Sequence, residues 1–145
     1  MSPKVSIVAT DRHREPGPRP DADVTFLPIA DDGGVPVYDD SVPELIEELL
    51  AARLTAGTWH PLTECEFVSS RGVLTDTLLQ IAVGISSSAG WYALQTLLRR
   101  RGGQQLRVVA IFDDGTERRR AEVTGEADDV VQALTTLNPF GSEPT

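Results

Sequence analysis

The chain is poor in the residue types that build covalent or metal-centred chemistry. Among 145 residues there is one cysteine, two histidines and an aromatic share of 6%. A lone Cys65 cannot close an internal disulfide, which points to a reducing, cytoplasmic setting. A tetrahedral zinc centre asks for four ligands. His13, His60 and Cys65 come without paired cysteine spacing, so no metal is expected. A Cys–His protease needs an orienting group and oxyanion donors, and nothing in the sequence places them. Basic charge is also scarce, with 13 basic against 22 acidic side chains and a net charge of -9. That balance favours solubility and repels nucleic acid and anionic membranes. The opening "MSPKVSIVATD" lacks the basic lead, long apolar run and cleavage signal of a secretory leader. Residues 77–94 carry no charge over eighteen positions. They hold Gln80 and three serines, however, whereas a spanning helix wants about 20 mostly apolar residues. A membrane span is not expected.

What is present suits one globular domain. An apolar share of 40% and a charged share of 24% are ordinary for a chain this long. Residues 1–23 are expected to be a loose or variable segment: a short strand candidate at 5–9 precedes the charged, proline-rich "DRHREPGPRPDAD". A single α+β domain is expected over 24–138, with a polar tail at 139–145. "VTFLPI" reads as a strand ended by Pro28, "DDGG" as a turn and "VPVY" as a short returning piece. The first helix starts after Ser41, which has capping-box spacing to Glu44, with Pro43 tolerated in the first turn. Leu45, Ile46, Leu49, Leu50 and Leu54 form its apolar stripe, and Gly57 is read as its stop. A short strand is expected at 65–68.

A long helical region is predicted over 73–101, as one helix or two, because apolar side chains surround it on several sides. "RGG" at its end places arginines where the helix dipole favours them. "LRVVAIFDDGTERRRAEVTG" reads as a hairpin turning on Asp114–Gly115. Its first strand is continuously apolar and expected to be central. The second is polar, with Ala121 and Val123 on one face and Glu122 on the other, and is read as an edge. A last helix starts near Glu126, with Ala127, Val130, Val131, Leu134 and Leu137 as its stripe. The expected architecture is a compact two-layer α+β domain: a small mixed sheet, a long central helical region, and a hairpin followed by a helix.

The run "GISSSAG" fails both catalytic templates it brings to mind. A nucleophile elbow needs glycine two residues either side of the serine, and Ser88 occupies the second position. A phosphate loop needs four residues between glycines and then lysine; here five separate Gly84 from Gly90 and Trp91 follows. Small residues allowing close approach of packed elements explain the run more simply. A ligand pocket formed by Ser86, Ser87, Trp91 and Tyr92 is the alternative. The acidic pairs beginning at Asp31, Asp39 and Asp113 lack calcium-loop spacing and read as turns or surface charge. No catalytic residue and no cofactor is assigned.

Arginine is distributed unevenly. Between residues 99 and 120 seven arginines face only three acids. Arg99, Arg100, Arg101, Arg107, Arg118 and Arg120 are therefore the candidate partner-binding residues, toward a protein partner or a second copy of the chain. No aromatic interleaving or nucleic-acid motif accompanies them.

The distal sequence "RGVLTDTLLQIAVGISSSAGWYALQTLLRRRGGQQLRVVAIFDDGTERRRAEVTGEADDVVQAL" resembles the effector-associated constant component domains of bacterial conflict systems. A glycine-led region with small residues, an arginine-rich helix end, a strand, an aspartate–glycine turn, a second strand and a final helix follow in that family's order. The resemblance covers residues 72–137 and rests on architecture. It implies a non-catalytic adaptor or accessory module that associates with a separate effector protein, and it carries over no catalytic residue.

Overall fold

The computed structural model describes residues 4–10, 17–19, 21–68, 78–113 and 117–140. The fold is α+β, with helices packed on one face of a six-stranded mixed sheet and a small three-stranded sheet beside it. The strands of the large sheet are β1 (Lys4–Thr10), β2 (Val24–Leu27), β5 (Ala56–Thr58), β7 (Leu78–Ile85), β8 (Gln105–Asp113) and β9 (Arg118–Glu126). Their spatial order is β1-β9-β8-β7-β2-β5. The small sheet orders β3 (Ala30–Asp32), β4 (Val35–Asp39) and β6 (Glu66–Val68). The helices are α1 (Val42–Ala51), α2 (Ser88–Arg99) and α3 (Ala127–Leu137).

The helical region predicted over 73–101 is corrected. Its described part is a strand, β7, followed by α2, and residues 73–77 lie outside the described residues. The alternation explains why. Leu79, Ile81, Val83 and Ile85 enter the main core beneath the helices, while Gln80, Ala82 and Gly84 occupy the intervening positions. β7 pairs antiparallel with β2 and parallel with β8, so it is a central strand with both edges filled. Such strands lose the polar alternation that would reveal them. The serine run then marks the change of element. Ser87 is extended at φ -145°, ψ 156°, and its hydroxyl accepts a hydrogen bond from Gly90 N, capping α2.

The hairpin of β8 and β9 forms as expected, with Asp113 opposite Arg118; the Asp114–Gly115 turn itself lies outside the described residues. β9 is not an edge. β1 pairs antiparallel with it over Lys4–Thr10, so the sheet begins inside the segment expected to be loose. Residues 17–19 are also held to the domain. Arg19 N donates to Thr25 Oγ1, and the Arg19 guanidinium lies over the Trp59 ring at 5.3 Å. Gly84 leaves room for this crossing, since a Cβ there would stand 2.5 Å from Pro18 N.

Other expectations about local structure meet mixed outcomes. β2 stops before Pro28, and the "DDGG" turn takes Gly33 and Gly34 at φ 58° and 95°, with Gly34 N on Asp31 Oδ1. Ser41 does not cap α1 through its side chain. Its amide and hydroxyl donate instead to Asp39, which is buried and so is not plain surface charge. Leu45 and Leu49 bury against the sheet, but Leu50 of the same stripe is 52% exposed. Gly57 lies in β5 rather than ending the helix. At the other end of the chain, Phe140 packs edge-on to Trp91 at 6.0 Å, so the polar tail does not begin at 139.

The main core gathers Trp91, Leu94, Leu97 and Leu98 of α2 with Val130, Val131 and Leu134 of α3. Each fully buried aliphatic side chain contributes about 1.5–3 kcal/mol relative to exposure. The opposite sheet face carries a second, smaller cluster of Leu27, Ala82, Val109 and Ile111.

Candidate functional site

The four residues of the alternative ligand pocket do not converge. Ser86 Oγ donates to Ala22 O at 2.7 Å, and Ser87 Oγ donates to Asp23 Oδ1 at 2.9 Å. Trp91 is fully buried, its Nε1 donating to Leu134 O at 2.9 Å and its ring edge-on to Phe112 at 5.5 Å. Tyr92 points elsewhere and lines a groove of about 340 Å³ between α1 and α2 with Leu54, Ala93 and Arg100. The serine run thus joins a strand to a helix and ties both to the loop before β2.

The arginines separate into two groups that the sheet keeps apart. Arg100 and Arg101, at the end of α2, both reach Glu48 of α1 at 3.1 Å. They brace two helices, and Arg99 is exposed beside them. Arg107, Arg118 and Arg120 lie on the strands. Arg118 Nε lies 3.4 Å from Asp113 Oδ1, and its guanidinium packs beside Gly17. Arg119 pairs with Glu117 at 2.8 Å.

Arg107 and Arg120 converge on one carboxylate. Arg107 Nε donates to Glu122 Oε1 at 2.7 Å, and Arg120 NH1 donates to Glu122 Oε2 at 3.2 Å. The Arg107 hydrogen bond, opposed by some burial and reinforced by Arg120, holds the Glu122 carboxyl below its ordinary range. Both arginines line a hollow of about 270 Å³ on the sheet face opposite the described helices. Leu27, Ala82, Val109 and Ile111 form its apolar floor, and Gln80 stands beside Arg107 in the strand register. Sequence reasoning named both arginines but not this floor. The period-2 pattern of β8 could have found it, because Arg107, Val109 and Ile111 share one side.

Two further features frame the surface. The edge strand β1 exposes Val5, Ile7 and Val8 at 47%, 41% and 48%. At the other side of the molecule, Tyr38 Oη lies 3.0 Å from His60 Nδ1, and burial pushes the phenol up to about 12. Cys65 Sγ donates to Pro61 O, and burial followed by the Glu64 charge raises its thiol, which makes it a poor nucleophile. No group of three His, Cys, Asp or Glu side chains suited to a metal occurs among the described residues. No helix among them is long and apolar enough to cross a membrane. Comparison with protein-family models, curated proteins and solved structures gave no match.

Proposed function

We propose that this chain is a non-catalytic protein-interaction module: a cytoplasmic adaptor that docks a separate effector protein of a bacterial conflict system. The resemblance of residues 72–137 supplies the effector context, and β1 supplies the physical support. Among the described residues its outer edge faces no neighbouring strand, and Val5, Ile7 and Val8 are exposed on its two faces. Natural edge strands are guarded by charge, proline or bulges. β1 carries only Lys4 as a charge and no proline. Strand addition draws affinity from main-chain hydrogen bonds and specificity from alternate side chains, which suits an extended, apolar strand of the effector.

The test is co-purification with effector-type proteins encoded beside this chain's gene, comparing the unaltered chain with Ile7→Lys. Lysine at the middle of the edge should weaken the complex at least tenfold while the melting temperature holds, because Ile7 is already partly in water. Sedimentation of the chain alone runs in parallel. An Ile7-dependent dimer would replace the effector strand by a second copy. A complex indifferent to Ile7→Lys, or no complex at all, would overturn the reading.

A further inference from the structure

We propose that the hollow on the sheet face opposite the described helices binds a small carboxylate with an apolar body, its anion held by Arg107 and Arg120. Guanidinium carries five N–H donors in a planar fork. Arg107 commits one nitrogen to Glu122 and so does Arg120, at 2.7 and 3.2 Å. Two positive groups share one carboxylate, so one charge and most of the donors are left for a ligand. The flat fork matches a carboxylate in a way that a lysine ammonium does not.

The floor argues for the rest of the ligand. Leu27, Ala82, Val109 and Ile111 are 3%, 8%, 5% and 4% exposed and form an apolar cluster separate from the core beneath the helices. Half-buried Ile29 and Trp59 pack against that cluster from the side. Pro28 and Ile29 line the same hollow, so an inorganic anion would satisfy the arginines and leave its mostly apolar lining without a matching group. The volume of about 270 Å³ lies just below the usual range for ligand pockets, so the ligand must be small. It holds roughly nine waters at about 30 Å³ each, and so a ligand of about ten non-hydrogen atoms.

Glu122 gives the site a distinctive response. It fixes the two guanidiniums and also competes for them. Neutralising it without shortening it should strengthen binding of an added carboxylate, whereas an ion triad of structural purpose alone would show no gain.

Isothermal titration with 3-phenylpropanoate, its uncharged analogue 3-phenylpropanamide, and inorganic phosphate tests the proposal. The carboxylate should bind at least tenfold more tightly than either comparison. Arg107→Met should lose at least tenfold, and Glu122→Gln should gain severalfold. If Arg107→Met does not fold, Arg107→Lys keeps a charge for Glu122 and should still lose severalfold by losing the fork. Ile7→Lys should leave the titration unchanged, which separates this site from the β1 reading. Equal binding of the amide, tighter binding of phosphate, no carboxylate binding at millimolar concentration, or an Arg107→Lys or Glu122→Gln protein titrating as the unaltered chain would each overturn it.

Discussion

Replacing Asp23 by alanine should cost about 2–3 kcal/mol, because its carboxylate ties together three separate parts of the chain. Oδ2 accepts from Thr55 N and Thr55 Oγ1, both at 3.1 Å, at the entry to β5. Oδ1 accepts from Ser87 Oγ at 2.9 Å, the residue that caps α2. Hydrogen bonds to a charged acceptor are worth about 1.5–3 kcal/mol each where water is excluded. Asp23 is only half-buried, so water replaces part of each bond and the sum falls to the lower figure. In a domain of this size that corresponds to a melting temperature lower by about 8–12 °C.

Two further measurements separate this account from a general loss of structure. In a double-mutant cycle, Asp23→Ala and Ser87→Ala should couple by about 0.5–1 kcal/mol, since they share one bond. The pH dependence has a defined sign. Burial alone would raise the Asp23 carboxyl, but the Thr55 amide and the Ser87 and Thr55 hydroxyls outweigh it and hold it below its ordinary value. A depressed carboxyl contributes fully above its unfolded value and loses that contribution as the pH falls through the folded one. The gap between the unaltered chain and Asp23→Ala should therefore narrow on acidification from about pH 7 to about pH 3. Calorimetric scans showing a shift below about 2 °C, or a gap unchanged in acid, would refute the reasoning.

Trp91→Phe should destabilise by about 2–3 kcal/mol in urea, moving the midpoint and leaving the slope alone, through lost ring volume and the lost bond to Leu134 O. A near-neutral result would mean the indole is not the packed centre of the core. Tyr38→Phe should remove an alkaline limb from the stability profile. The phenol is raised by burial to about 12, so its contribution is complete below the unfolded phenol value and is lost as the pH rises toward the folded one. Melting scans from about pH 9 to about pH 12 should show the two proteins converging, and parallel curves would count against the buried tyrosine's role.

The parts of the fold that were legible are those whose partners are near in sequence. The β8–β9 hairpin, α3 and the short strand around Glu66–Val68 each announce themselves by local pattern and turn chemistry. β7 did not, because an uncharged apolar run satisfies helical and strand spacing alike. Ile81 and Ile85 are four apart and fit a helix, yet Ile81, Val83 and Ile85 also fit alternation. The β-branched residues at every second position were the available discriminator. β1 was hidden for a different reason. Its partner β9 lies more than a hundred residues away, and no local signal in "KVSIVAT" names it.

The same geometry explains why an arginine-rich sequence does not make one arginine surface. Along β9 successive side chains alternate, so Arg119 leaves the side shared by Arg118, Arg120 and Glu122. Arg100 and Arg101 meet Glu48, which no spacing rule connects to them. Counting charges between residues 99 and 120 therefore overstates what a partner would meet. The balance that matters is local: two guanidiniums on one carboxylate above an apolar floor, set by the register of four strands. A free carboxylate is the ligand chemistry that this remainder favours, and the opposite effects expected of Arg107→Met and Glu122→Gln follow from that charge balance alone.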